Sequence, residues 1–220
     1  MEKKIIEIKH KPVVLNISYR TTKSLTIRVK NKELYCHAPM FVTEENIITF
    51  IKQNEMKISQ LLDAYEPHAI LEDGGYVDLF SKRYTISFKK GMNPLCIVKD
   101  QRIYASNKSV IEKYLKKCLE TEINEMVEYF INKGLKIKKP TIQIRKMTSR
   151  YGSCTPAKST IRFSYYLVHF TKPEIASVVI HELCHLIYPS HQKDFYDEVL
   201  TFFPKYREIE KQLKKRGLHE

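Results

Sequence analysis

Short runs rich in apolar and β-branched residues fill the first part of the chain and predict β-strands. Residues 13–19 and 25–29 have this composition, and residues 25–29 also alternate with a period of two. Residues 34–38 form a third predicted strand, which Pro39 ends. Over residues 43–62 the apolar side chains recur at helical spacing, and acidic residues in the first turn favour a helix start there.

After a Gly-Gly break the pattern returns to short strands and then becomes helical. The predicted strands of this second set are residues 76–79, 83–88, 95–98 and 102–104. Residues 109–133 carry one broad apolar stripe, which predicts a long helix that ends at Gly134. Two more strands are predicted at residues 141–147 and 160–165, and the remainder of the chain is predicted to be helical. The sequence therefore predicts an α+β protein.

The segment that begins at Thr171 predicts an apolar helix that carries polar residues of catalytic type. Thr171 can cap this helix, and Glu174 stands where a capping box requires it. His181 and His185 are four residues apart, so both imidazoles lie on the same side and can hold one metal ion about 2.0–2.1 Å away. Glu182 lies beside them, where it can take a proton from a metal-bound water.

A catalytic zinc site needs a third protein ligand and an open position, and His191 is the candidate. A continuing helix would place this residue on another face. Pro189 disfavours helical geometry at Tyr188, so we expect the helix to end there and the chain to turn back towards the metal. This order predicts a three-histidine site for one Zn²⁺ per chain, with manganese, cobalt and nickel left open as the native metal.

Charge and composition limit the compartment and the partners. The formal net charge is +13, and residues 8–32 and 134–173 contain no acidic side chain. Such segments are either the solvated faces of strands or an electropositive surface beside the metal site, which would allow a nucleic-acid partner. Neither a bilayer-spanning apolar run nor a secretory signal is apparent, and the five scattered cysteines argue against a disulfide framework. We expect a soluble, cytoplasmic protein without a membrane partner.

Two sequence blocks resemble the YgjP-like metallopeptidase-domain family, which is related to the SprT-like proteins and other small intracellular zincins. The first block is RYGSC at residues 150–154, where the family typically has tryptophan at the position of Tyr151. The second is VVIHELCHL at residues 178–186, followed by YPSH at residues 188–191. The metzincins share the histidine spacing but have glycine at the position of Tyr188.

The order of the predicted strands and helices divides the α+β chain near residue 106, and the resemblance implies that the second region is zincin-like. Residues 1–105 would be a β-rich N-terminal region with one helix, and residues 106–220 a zincin-like catalytic region with a small sheet and an active-site helix. The resemblance also implies that residues 150–154 form a loop near the metal. Arg145 and Arg150 could bind a substrate carboxylate or phosphate through their guanidinium groups, unless they are solvated, and Ser153 is a third substrate-binding candidate.

These residues support three functional hypotheses. The first is a zinc peptidase that uses Glu182 as the base, with the strand at residues 160–165 pairing with an extended peptide or protein substrate. The second is a metal-dependent hydrolase of nucleotide phosphoanhydrides, in which Arg145, Arg150, Lys158 and Arg162 neutralise phosphate charge. The third is a nucleic-acid-associated zincin protein, whose binding would weaken steeply with salt.

Overall fold

The computed structural model describes residues 2–30, 32–63, 67–92 and 95–216. It has the predicted α+β fold, with a β-rich N-terminal part and small sheets combined with helices. The chain divides between Pro67 and His68 into two compact units, and each has a hydrophobic core of its own. The boundary predicted near residue 106, between a β-rich region and a catalytic region, stays a prediction. Among the described residues, no helix combines the length and the apolar character needed to cross a membrane.

The first unit is a four-stranded sheet whose core is completed by two helices. Its elements are β1 (Glu2–Ile8), β2 (Lys11–Arg20), β3 (Thr26–Lys30), β4 (Glu33–Pro39), α1 (Glu44–Gln53) and α2 (Glu55–Asp63). The strand order is β1-β2-β4-β3, with β2 and β4 parallel and the other pairs antiparallel. Ile47 and Ile58 of the helices are buried in one core with Leu15 and Cys36 of the sheet.

The prediction of a single helix over residues 43–62 is wrong at Asn54. Thr43 does cap α1, because its hydroxyl oxygen accepts the backbone N–H of Asn46 at 3.3 Å. At the other end Asn54 has φ −109° and ψ 15°, and its side-chain amide donates to the Phe50 carbonyl at 2.8 Å. Such a local side-chain bond competes with helix continuation, so the chain ends α1 and begins α2 one residue later.

The second unit contains the predicted second set of strands and the long helix. These elements are β5 (Ala69–Ile70), β6 (Tyr76–Leu79), β7 (Lys82–Phe88), β8 (Cys96–Lys99), β9 (Arg102–Ala105) and α3 (Lys108–Asn132), and the sheet order is β5-β6-β7-β9-β8. The side-chain oxygen of Asn107 caps α3 by accepting the Val110 N–H at 3.2 Å. Gly134, with φ +112°, follows the helix end as predicted.

A three-stranded sheet in the second unit positions the candidate site. Its strands are β10 (Thr141–Arg145), β11 (Gly152–Thr155) and β12 (Thr160–Ser164), in the order β10-β12-β11. The prediction that the strand at residues 160–165 pairs with a substrate is wrong, because β12 already pairs with β10 on one side and β11 on the other. The segment predicted as a loop at residues 150–154 forms most of the edge strand β11 instead.

Three helices complete the second unit: α4 (Lys172–Cys184), α5 (Lys193–Phe202) and α6 (Tyr206–Arg216). The predicted capping box is present, with Thr171 and Glu174 bonded reciprocally. Regular helix ends at Cys184, one turn before the predicted end at Tyr188. The N–H groups of Leu186 and Ile187 donate to carbonyls three residues back, both at 3.0 Å, and this tighter turn leads the chain into Pro189.

Candidate metal centre

Three imidazole rings from separate parts of the second unit converge on one point. His181 lies in the last turn of α4, His185 is the capping residue of that helix, and His191 lies in the segment before α5. Their Nε2 atoms form a nearly equilateral triangle: 3.2 Å between His181 and His185, 3.1 Å between His185 and His191, and 3.0 Å between His191 and His181. These atoms make up the candidate metal cluster of the described residues.

The donor set and its spacing fit a small divalent cation. Nitrogen ligands about 2.0–2.1 Å from a tetrahedral Zn²⁺ lie roughly 3.3 Å apart, close to the separations in this triangle. Burial, followed by the charges of the other two histidines, lowers the pKa of His181 to about 3. Burial also lowers the pKa of His185, in opposition to its hydrogen bond with Tyr188. Both effects favour the neutral imidazole, which is the form that binds a metal.

Contacts around the triangle fix the orientation of the rings. His185 Nδ1 lies 3.0 Å from the Tyr188 carbonyl oxygen, which can only accept, so this ring carries its proton on Nδ1 and presents Nε2. His181 Nδ1 lies 2.7 Å from the hydroxyl oxygen of Tyr206 on α6. Phe195 of α5 is fully buried under the site, with its ring centroid 4.7–5.0 Å from those of the three histidines.

Glu182 is a buried carboxylate held between α4 and β11. Glu182 is only 6% exposed, and its carboxylate accepts a hydrogen bond from the backbone N–H of Cys154. Burial raises the pKa of Glu182 to about 7, against the opposing effects of the Arg150 charge and the Cys154 N–H. A Cβ atom at Gly152 would lie 2.7 Å from the Glu182 Oε1 atom. Glycine at this position therefore lets the strand approach the carboxylate.

Two cavities open on either side of this carboxylate. A cleft of about 470 Å³ is lined by the three histidines and Glu182 together with Arg150, Ser153 and other residues of the β11 segment. A second cavity of about 270 Å³ extends from His181 and Glu182 towards α6 and is lined by apolar groups such as Val178 and Leu213. Arg150 stands at both cavities and could contact ligands in either one.

The substrate-binding candidates from the sequence occupy different places. Arg150 and Ser153 line the cleft beside Glu182. Arg145 is exposed on β10, where its guanidinium donates to Gln143 Oε1 at 3.3 Å, and it is not among the residues that line these two cavities. The substrate-binding roles of Arg145, Arg150 and Ser153 stay predictions. The sequence did not predict the contact of Tyr206 with His181 or that of the Cys154 N–H with Glu182. Tyr206 and Cys154 both lie far along the chain from the segment that contains His181, Glu182 and His185.

Residues 23–216 match the YgjP-like metallopeptidase domain. The chain belongs to the YgjP-like metallopeptidase-domain family. The sequence resemblance is thereby confirmed over almost the whole chain, and the YgjP-like chain is a metal-dependent hydrolase. Membership of this family implies a divalent metal, typically zinc, and the histidine triangle supplies a suitable donor set.

Two solved structures of metallopeptidase zymogens also resemble the YgjP-like chain. Abylysin from Pyrococcus abyssi is 21% identical, with 43% of this chain and 93% of abylysin covered and a TM-score of 0.40. Jannalysin from Methanocaldococcus jannaschii is 22% identical, with 43% of this chain and 95% of jannalysin covered and a TM-score of 0.39. No curated protein matches the chain.

Proposed function

We propose that this YgjP-like protein is a zinc-dependent peptidase, with His181, His185 and His191 as the metal ligands and Glu182 as the general base. The observation that carries the proposal is the convergence of three Nε2 atoms 3.0–3.2 Å apart. A divalent cation held by these three histidines would polarise a carbonyl group and lower the pKa of water. The chain supplies the remaining groups for amide hydrolysis.

Glu182 has the position and the environment of a proton carrier. A carboxyl group with a pKa of about 7 can both accept and release a proton near neutral pH. Glu182 would take the proton of the attacking water and then deliver it to the amine nitrogen that leaves the cleaved peptide. The N–H of Cys154 holds the carboxylate at the cleft while both transfers occur.

The edge strand β11 offers a place for an extended peptide substrate. It pairs with β12 on one side only, and its other edge carries the Cys154 N–H that bonds to Glu182. Since alternate residues of a strand direct their backbone groups to the same edge, Gly152 shares this edge with Cys154. Because Glu182 occupies the Cys154 N–H, a peptide added beside β11 would pair with the Gly152 backbone and would thus lie next to the proposed base. Arg150, at the start of this segment, can bind a substrate carbonyl or carboxylate.

A nucleotide substrate is the alternative, and the placement of the basic residues favours the peptide. Of Arg145, Arg150, Lys158 and Arg162, only Arg150 lines the two cavities beside Glu182. Lys214 also lines the cavity towards α6, but it is paired with Glu210, so little positive charge is left to neutralise a triphosphate. A nucleic-acid partner stays a prediction from the net charge alone.

The decisive experiment loads the full chain with one equivalent of Zn²⁺ and offers it a peptide library and, separately, the nucleoside triphosphates. We expect peptide cleavage by the wild type, and loss of cleavage with retention of zinc in Glu182→Gln, which keeps the shape of the side chain but cannot act as a base. Release of phosphate or pyrophosphate without peptide cleavage would select the nucleotide alternative. Undiminished turnover by Glu182→Gln would remove Glu182 from its proposed role.

A further inference from the structure

A chain of side-chain contacts leads from the surface of α6 to the buried face of one histidine. The hydroxyl oxygen of Tyr206 lies 2.7 Å from His181 Nδ1, and the planes of the two rings differ by 20° with their centroids 6.0 Å apart. Tyr206 is only 3% exposed, and Glu210 lies one turn further along α6. Burial raises the pKa of the tyrosine hydroxyl, and the Glu210 carboxylate raises this pKa further. Glu210 pairs with Lys214 at 2.9 Å and with Arg207 at 3.6 Å.

The direction of these hydrogen bonds follows from their chemistry. A His181 ring that presents the Nε2 lone pair to a cation carries its proton on Nδ1, which must then donate to the Tyr206 oxygen. The Tyr206 hydroxyl then has its own proton to donate, and the Glu210 carboxylate one turn further along α6 can accept it in a hydrogen bond. Tyr206, Glu210 and Lys214 are spaced four residues apart, which places them along one face of α6.

The hydrogen-bond partner of Nδ1 is of a different kind in His181 and in His185. The Nδ1 partner of His185 is the backbone carbonyl of Tyr188, which forms with the turn itself. The Nδ1 partner of His181 is the side chain of Tyr206 on another helix, and the Glu210 carboxylate lies one turn away from that tyrosine. Packing of α6 is thereby linked to the orientation of one ring of the triangle.

We propose that Tyr206 is a positioning residue that fixes the tautomer and orientation of His181, and that Glu210 acts through Tyr206 to strengthen metal binding. The inference rests on the three-histidine site proposed above. A carboxylate that accepts a hydrogen bond from the tyrosine hydroxyl makes the tyrosine oxygen a better acceptor for the His181 N–H, and this makes Nε2 a better donor to the cation.

The test measures metal binding by the full-length chain, independently of turnover. Tyr206→Phe keeps the ring and removes the hydroxyl, and we expect its dissociation constant for Zn²⁺ to rise about 10- to 100-fold in chelator competition. The visible spectrum of the Co²⁺-loaded variant should shift, because the ligand geometry changes. Glu210→Gln should raise the constant by less. Tyr196→Phe, on α5 with its ring centroid 6.1 Å from that of His191, is the matched control and should change neither readout.

Urea unfolding of the metal-free variants separates this role from a structural one. A Tyr206→Phe chain that is less stable but binds zinc and Co²⁺ as the wild type does would overturn the proposal. If Tyr206→Phe does not fold, Glu210→Gln decides, and wild-type affinity in that variant is the overturning result. A wild type that binds no metal would instead contradict the proposed function, whereas a wild type that binds zinc and matches its Tyr206→Phe variant contradicts this inference alone.

Discussion

Replacement of Gly152 by alanine tests how closely the edge strand β11 packs against Glu182. A Cβ atom at this position would lie 2.7 Å from both Cγ and Oε1 of Glu182 and 2.8 Å from Cδ, whereas ordinary contacts begin at 3.4 Å. Glu182 or the strand must therefore move by about 0.7 Å. The φ angle of Gly152 is outside the left-handed region, so alanine strains the contact with Glu182 and not its own backbone.

The size of the effect follows from this displacement. Overpacking of a close contact costs about 1–3 kcal/mol of stability. A shift approaching 1 Å in a catalytic group costs on the order of 100-fold in rate, which corresponds to about 2.7 kcal/mol in the activation free energy. The three histidines do not contact the new methyl group in the way Glu182 does, so we expect Gly152→Ala to bind zinc with an affinity within about twofold of the wild type.

The assays are kcat/KM on a peptide found by the library screen, zinc affinity, and urea unfolding. A double-mutant cycle with Glu182→Ala isolates the contact, because the truncated side chain leaves space for the methyl group. Gly152→Ala should destabilise the wild-type chain and have almost no effect on stability in the Glu182→Ala background. Wild-type activity in Gly152→Ala, or equal destabilisation in both backgrounds, would refute the packing argument.

Other residues of the chain give three further expectations. Arg150→Ala should raise KM for the peptide by roughly tenfold through the loss of a charged hydrogen bond, while Arg145→Ala, the exposed control on β10, should leave steady-state kinetics unchanged. In chelator competition, His191→Ala should raise the zinc dissociation constant by more than about 100-fold, because removal of a ligand costs more affinity than removal of a residue that supports a ligand. Burial acts to raise the pKa of Asp78, but the ion pair with Arg83 and the imidazole of His68 hold this pKa below its ordinary value of 3.8. The ionised Asp78 therefore stabilises the fold above pH 3.8, and this stabilisation is lost as the pH falls through the lower pKa of the folded state. Asp78→Asn should therefore unfold at a lower urea concentration than the wild type at about pH 7. This difference in urea concentration should shrink once the pH falls below the folded-state pKa of Asp78.

Local sequence signals predicted the active-site helix because its determinants are close together along the chain. The capping box at Thr171 and Glu174 fixes the start of α4, and the i, i+4 spacing of His181 and His185 aligns the rings. The helix break expected at Pro189 predicted that His191 comes back to the other two histidines, although the regular helix ends earlier, at Cys184. All of these interactions span fewer than a dozen residues.

The surroundings of the site could not be predicted in the same way, because their partners are distant in sequence. The Gly152–Thr155 segment has the composition of a turn, and it becomes a strand only through its pairing with β12. Alternation over residues 160–165 indicated a strand but carries no information on how many neighbours that strand has. The contact of Tyr206 with His181 depends on how α6 packs across α4, and hydrophobic periodicity alone does not determine this packing.

The position of Gly152 has a consequence for how a peptide substrate and the proposed base, Glu182, would be coupled. Glu182 bonds to the N–H of Cys154, and two residues earlier Gly152 lies against the side chain of that same glutamate. A peptide that pairs with the open edge of β11 would therefore bind to the strand that also holds the carboxylate. Any displacement of the strand by a poorly fitting substrate would displace the base with it. Productive pairing and correct placement of Glu182 thus depend on the same backbone segment, so selectivity can be expressed in the rate of cleavage as well as in the strength of binding.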